Sequence, residues 1–228
     1  MTNLIFSRKI LFVLLFHSIT LLSQETNDKE SFVWFDNLIN IDNLDINSGI
    51  KYVKKFKTIN GNHQFFIEKY YSGTIKYKNQ VYYNIPLKYD VFEDELIIKN
   101  SNKNQSIILF KKFVEYFMIN NKTFINLGKR GFNQKLFSKK KYILLKKNTK
   151  KSLKKIDKDF SYTKFYSNDS FFILKNKKYI SINSKREWIK IFPKKKSTIK
   201  KHYKQYSKKL KNSPNLFMIE LFKKVINN

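Results

Sequence analysis

The chain of 228 residues contains no cysteine. That absence excludes disulfides, thiolate catalysis and cysteine-ligated metals, and it also excludes the lipidated cysteine of a bacterial lipoprotein anchor. Glycine (5) and proline (3) are scarce, which rules out collagen-like and low-complexity classes. Arginine is nearly missing as well: apart from Arg8, Arg130 and Arg186, every basic side chain is lysine. The planar guanidinium is the preferred tool for reading bases and gripping phosphates, so sequence-specific nucleic-acid recognition is not expected. The phosphate-binding GxxxxGK[ST], the dinucleotide GxGxxG, GxSxG and HExxH are all absent. After the first 23 residues no run is apolar for long enough to span a bilayer.

What remains is a chain that must fold. Hydrophobic residues make up 42% and aromatics 17%, too much for disorder, and the length suits one domain with a substantial core. The N-terminus reads as a secretory signal peptide over residues 1–23. Arg8 and Lys9 form its charged part, Ile10 to Leu22 its short apolar core, and Ser23-Gln24 the cleavage point. The mature protein is therefore expected in the periplasm or outside the cell. The segment 31–62 reads as a short helix or irregular lead-in, with Asn60-Gly61-Asn62 as a turn.

From Val81 the side chains alternate. Val81, Tyr83, Ile85, Leu87, Tyr89 and Val91 share one parity, while Tyr82, Asn84, Pro86, Lys88 and Asp90 share the other. Successive strand side chains point to opposite faces, so the odd residues are predicted to line a core and the even ones to face water. Ile75 and Tyr77 extend the pattern backwards through a turn at Lys78-Asn79-Gln80. Pro86 lacks a ladder donor and so predicts a sheet edge or a bulge. A turn at Glu93-Asp94-Glu95 leads to a third strand from Leu96. Further strands are predicted at 107–110, 114–119, 123–127, 142–145, 162–166, 171–174 and 179–182, with Asn120-Asn121-Lys122 and Asn176-Lys177 as turns. Gly128-Lys129-Arg130-Gly131 interrupts the pattern, and the basic stretch 146–158 reads as a solvated loop or frayed helix.

At Ser184 the period changes. Ser184-Lys-Arg-Glu187 is a capping box, and Trp188, Ile189, Ile191 and Phe192 follow up to Pro193. Ile199, Tyr203, Tyr206 and Leu210 form a narrow stripe on a second, lysine-rich helix, expected to pack on the third helix or the sheet. Ser213-Pro214 opens that third, largely apolar helix. The expected fold is thus α+β: an antiparallel β-meander over residues 24–183, followed by a small C-terminal helical unit over 184–228, packed on the sheet.

The hairpin with Gly73, Tyr82 and Leu87-Lys-Tyr-Asp90, the later Gly131-Phe132, and the serine-capped helix before Phe192-Pro193 together resemble a family of exported, uncharacterised proteins from Bacteroidota. The resemblance implies a β-rich envelope or secreted protein and carries no catalytic residues.

Candidate chemistry is sparse. His17 lies in the leader, and His63 and His202 are too far apart in sequence to promise a metal site. No cofactor is expected. Asp90, Glu93, Asp94 and Glu95 form the densest acidic cluster, but without the glycine of a calcium loop they read as solvated turn charges. Charge carries the strongest signal. The net charge is +30, and residues 111–228 hold 34 basic residues against 6 acidic ones, whereas 25–110 hold 11 of each. Such a field attracts polyanions, although an AT-rich genome also inflates Lys, Asn, Ile, Phe and Tyr. The residues expected to contact a polyanion are Lys129, Arg130, Lys194, Lys195, Lys196, Lys200, Lys201, Lys204 and Lys208; Lys129 and Arg130 sit in a basic GxxG of the kind that clamps nucleic-acid backbones between helices. The sequence predicts an exported, non-catalytic binding or structural protein. Its alternatives are a polyanion binder for anionic lipid, polysaccharide or nucleic acid, and an enzyme with an unfamiliar site.

Overall fold

The structure, a computed structural model, describes residues 29–31, 33, 45–57, 63–65, 68–100, 105–157 and 160–226. The predicted leader, its cleavage point and the turn at 60–62 lie outside them. The chain divides into two units, Met1–Asn40 and Ile41–Asn228. In the first, residues 29–31 and 33 are helical.

The second unit is α+β, as predicted. Among the described residues, eleven strands form one antiparallel sheet and two more pair apart from it. The strands are β1 (Gly49–Lys51), β2 (Tyr71–Tyr77), β3 (Gln80–Asp90), β4 (Glu95–Asn100), β5 (Gln105–Leu109), β6 (Val114–Ile119), β7 (Lys122–Asn126), β8 (Phe132–Lys139), β9 (Tyr142–Lys147), β10 (Lys150–Asp157), β11 (Phe160–Ser167), β12 (Ser170–Lys175) and β13 (Lys178–Ser181). The order in the large sheet is β1-β5-β4-β3-β2-β6-β7-β8-β9-β12-β13. Two meanders, β2 to β5 and β6 to β9, therefore run outward in opposite directions from a shared centre.

Tight turns set these registers. Lys78-Asn79, Asn120-Asn121 and Asn176-Lys177 each place two consecutive residues at positive φ. That is the hairpin turn whose twist matches the strands it joins, and asparagine tolerates it. The connection from β5 to β6 is a single 3-10 turn, Lys111–Phe113. In a flat sheet β5 and β6 would stand about 19 Å apart, four strand spacings. So short a link draws them together, and the sheet curls around Tyr77, Tyr82, Leu87, Tyr89, Phe117, Phe124 and Phe132.

Tyr82 breaks the predicted alternation. It is buried, whereas Val81 and Tyr83 are only half-buried; from Leu87 the odd residues take over as predicted. The cause is a bulge. Ile75 pairs with Tyr82 and Gly73 with Ile85, so β3 spends one residue more than β2. Asn84 absorbs it at φ 56, and the extra residue exchanges the two faces. Pro86 lies beside this bulge, just beyond the β3–β4 ladder, which runs from Leu87 to Asp90. Gly73 is needed opposite: a Cβ there would overlap the Met118 carbonyl and the Leu87 side chain.

Beyond exposed Asn84 the even face is not wet either, contrary to expectation. Lys88 and Asp90 are buried, Lys88 against Tyr52 and Tyr70 and Asp90 against His63. The Lys88 ammonium stands 4.3 Å and 4.9 Å from the ring centres of Tyr52 and Tyr70, and its burial lowers its pKa.

Two further expectations fail. Residues 150–157 are not a loop or helix but strand β10, fully paired with β11. Its lysines hid the pattern because residues 151–157 are exposed on both faces of the strand. Strand β8 was not foreseen either, since its Phe-Asn-Gln-Lys start alternates weakly; Asn133 and Gln134 are buried beside Phe132.

The helices are α1 (Lys185–Ile191), α2 (Lys196–Gln205), α3 (Ser207–Asn212) and α4 (Pro214–Ile226). The predicted second helix is thus two helices, broken at Tyr206, which caps α2. They share a second core with the sheet, in which Trp188, Ile199, Phe217, Leu221 and Phe222 meet Leu144, Phe171 and Ile173.

Candidate functional site

The helical unit begins with the capping box the sequence predicts. The Glu187 amide donates to the Ser184 hydroxyl (3.3 Å), and the Ser184 amide donates to the Glu187 carboxylate (2.7 Å). The Ser181 hydroxyl also donates to Glu187 (2.5 Å). These bonds, that from Ser181 foremost, hold the carboxyl below its ordinary pKa.

The stripe of Ile199, Tyr203, Tyr206 and Leu210 packs inward against the second core. Apolar positions at that spacing occupy one side of the helix, so the lysines between them must point out. Lys194, Lys196, Lys200, Lys201, Lys204 and Lys208 are exposed, and none makes an ion pair among the described residues. Lys195 is half-buried. Between 184 and 226 the sequence has 14 basic residues and two acidic ones. Glu187 is used in the cap, and Glu220 pairs with Lys209 (2.5 Å). The face has no internal counter-charge left to offer.

His202 anchors this face from within. It is buried between the rings of Tyr206 and Phe217. Its Nε2–H donates to the Phe217 carbonyl (3.2 Å), and its Nδ1 faces the Lys224 ammonium (3.4 Å). Burial lowers its pKa, so the imidazole is neutral in the fold.

Two clefts flank the end of α1 and share Ile191 in their walls. One, about 570 Å³, runs between the β8–β9 turn and the ends of α1 and α4. It has a floor of Tyr142, Ile191, Phe192, Pro193, Val225 and Ile226, and a rim of Lys140, Lys141, Lys194 and Lys195. The other, about 640 Å³, lies between the β12–β13 hairpin and α1, with Lys175, Lys178 and Lys190 around Ile180, Ser181 and Glu187. Sequence reasoning found Lys194 and Lys195 but not Lys190 on α1, nor Lys140, Lys141, Lys175 and Lys178, which strand turns bring to that helix from about 12 to 50 residues away.

Lys129 and Arg130 belong to a different corner. They form the 3-10 turn Gly128–Arg130 between β7 and β8, not the helix–GxxG–helix of a nucleic-acid clamp. Arg130 stacks over Tyr179 at 4.5 Å, and the Tyr179 hydroxyl donates to Asn133 (2.6 Å). Gly131 sits at φ +65, and a Cβ there would collide with Asp94. This glycine makes room for a carboxylate.

That carboxylate overturns the reading of the acidic cluster as solvated turn charges. Asp94 accepts from the Tyr89 hydroxyl (2.6 Å), the Phe132 amide (3.3 Å) and the Lys111 ammonium (2.9 Å), and pairs with Lys147 (3.1 Å). Asp90 is buried; it accepts from the amides of Phe92 (3.0 Å) and Glu93 (3.1 Å) and pairs with the Nδ1 of buried His63. With Nδ1 protonated, His63 Nε2 accepts from the Gln64 amide (2.9 Å). Both ring nitrogens are engaged inside the protein, so the pair ties residues 63–65 to the end of β3. Among the described residues no group of three or more His, Asp or Glu side chains is arranged to hold a metal ion. No helix among them is long and apolar enough to cross a membrane.

No family model, curated protein or solved structure matches this chain. Any functional reading therefore rests on the lysine face and the two clefts it overhangs.

Proposed function

We propose that the protein is exported, to the periplasm or beyond, and that it works without catalysis by binding polyanionic polymers or lipids of the cell envelope through the lysine face of its helical unit. One observation carries this reading. Six exposed lysines, Lys194, Lys196, Lys200, Lys201, Lys204 and Lys208, share the helical unit with two acids that are already engaged elsewhere. A cationic surface with no counter-charge of its own recruits an external one, at rates and affinities that fall with ionic strength. Lysine, a compact and strongly hydrated point charge, suits a polymer read by charge density and not by base or phosphate geometry. The charged and apolar leader at Arg8 to Leu22 supports export, as does the resemblance to exported Bacteroidota proteins.

The test uses the full chain and heparin as a probe polyanion. Retention on immobilised heparin at low salt, with elution moving sharply as salt rises, is the expected result. Equal retention at low and high salt removes the proposal. Cell fractionation with N-terminal sequencing checks export separately, with Gln24 as the expected first residue.

A further inference from the structure

The β10–β11 hairpin stands apart from the large sheet as a two-stranded ribbon. Its root is fixed: Phe165 is buried against Phe56, His63 and Phe92, and the Thr163 amide donates to the Lys57 carbonyl (2.9 Å). Among the described residues its outer face is open apart from the Lys57 ammonium, which lies over the Phe160 ring at 4.7 Å. Directly paired residues share a face, and the pairs Lys151–Tyr166, Leu153–Lys164, Lys155–Tyr162 and Asp157–Phe160 alternate with those that hold Phe165. This face sets three lysines, Lys151, Lys155 and Lys164, among apolar side chains, with one acid, Asp157, opposite Phe160. Leu153 is 47% exposed, Tyr166 42% and Phe160 36%; on the opposite side near the tip, Ile156 is 84% exposed. An isolated hairpin that shows this much apolar surface has a use for it.

We propose that the β10–β11 arm docks end-on on an anionic lipid bilayer, so that Ile156 on one side and Phe160 and Leu153 on the other enter the headgroup–acyl boundary while Lys151, Lys155 and Lys164 meet lipid phosphates. Charge complementarity selects this occupant. A second copy of the same face would bring lysine against lysine. A nucleic acid would reward the aromatic rings by stacking but would gain nothing from Leu153 and Ile156. A bilayer interface rewards all three classes: aliphatic chains in the acyl boundary, tyrosines at the headgroups, and ammonium groups at the anionic surface. The inference goes beyond the helical lysine face, concerns a separate surface and stands without it.

The absence of cysteine supplies the test. Full-length Ile156→Cys carries one thiol, labelled with an environment-sensitive dye and mixed with vesicles of phosphatidylcholine with or without phosphatidylglycerol. The expected result is blue-shifted, brighter emission with the anionic vesicles only, quenched by brominated acyl chains, and no such quenching from a label at exposed Ser48, which lies on neither the arm nor the helical unit. Absence of quenching at position 156, or equal signals from both vesicle types, overturns the proposal. Unlabelled Leu153→Ser/Ile156→Ser/Phe160→Ser is expected to bind anionic vesicles about tenfold more weakly, with heparin retention and thermal unfolding unchanged. Undiminished vesicle binding by this variant overturns the proposal. Loss of heparin retention in a helical lysine variant that still binds vesicles touches the helical reading alone.

Discussion

The two halves of this chain treat charge in opposite ways. Residues 25–110 carry equal numbers of acids and bases, and the fold draws a few of them inward. Asp90 is buried with His63, Asp94 gathers Tyr89, Lys111 and Lys147, and Lys88 lies between two tyrosine rings. The second half carries mostly lysine, and its helical unit keeps that charge outside. Balanced charge can be buried because each group finds a partner; charge of one sign cannot, since desolvating an unpaired ion costs far more than a fold can recover. The first half thus spends its ions on architecture. The second is left with a surface field.

Breaking an internal ion has the largest expected effect. Asp94→Ala would leave Lys147 with only the Phe132 carbonyl (3.0 Å) and no counter-charge, and the Phe132 amide and Tyr89 hydroxyl without their acceptor. A loss of about 4 kcal/mol in urea-induced unfolding is expected, and a loss under about 1 kcal/mol would show the carboxylate to be peripheral.

The second prediction sharpens the comparison through pH. Among the described residues His202 is the one imidazole buried under the lysine face, beside Lys224, Lys209 and Glu220. Burial holds its pKa below the ordinary 6.5, so the unfolded chain takes up a proton before the folded one does. Its contribution is complete above pH 6.5 and is lost as pH falls from there toward the lowered folded value. Thermal melts at stepped pH should show this decline, and His202→Phe should flatten it.

Much of this architecture was legible in the sequence, for physical reasons that also explain the gaps. Strands and turns with strong local signals stood out: Asn176-Lys177 demands a tight hairpin, and Ser184 with Glu187 demands a helix start. The α+β class follows from the change of period between them. The bulge at Asn84 was not legible, because one extra residue exchanges faces without changing composition. Strand β10 was hidden because Lys150 to Lys155 reads as solvent-facing, as most of it is. The candidate site divided in the same way. Helical lysines such as Lys200 and Lys204 follow from the stripe they flank, whereas Lys140 and Lys178 reach the clefts only through long-range strand pairing. Asp94 was misread because its partners, Lys111 and Lys147, are 17 and 53 residues away.

The most direct measurement neutralises equal charge in each region and asks which one a polyanion feels. One variant carries Lys200→Gln, Lys201→Gln, Lys204→Gln and Lys208→Gln. The other carries Lys54→Gln, Lys55→Gln, Lys76→Gln and Lys78→Gln, first-half lysines that each pair with a carboxylate. Exposed sites of both kinds should leave stability within about 0.5 kcal/mol per residue. Heparin affinity is then followed against salt. The slope of log affinity on log salt should flatten by about 3 in the helical variant and stay near its original value in the other. Equal flattening in both would mean that the polyanion reads net charge alone, and would contradict the account.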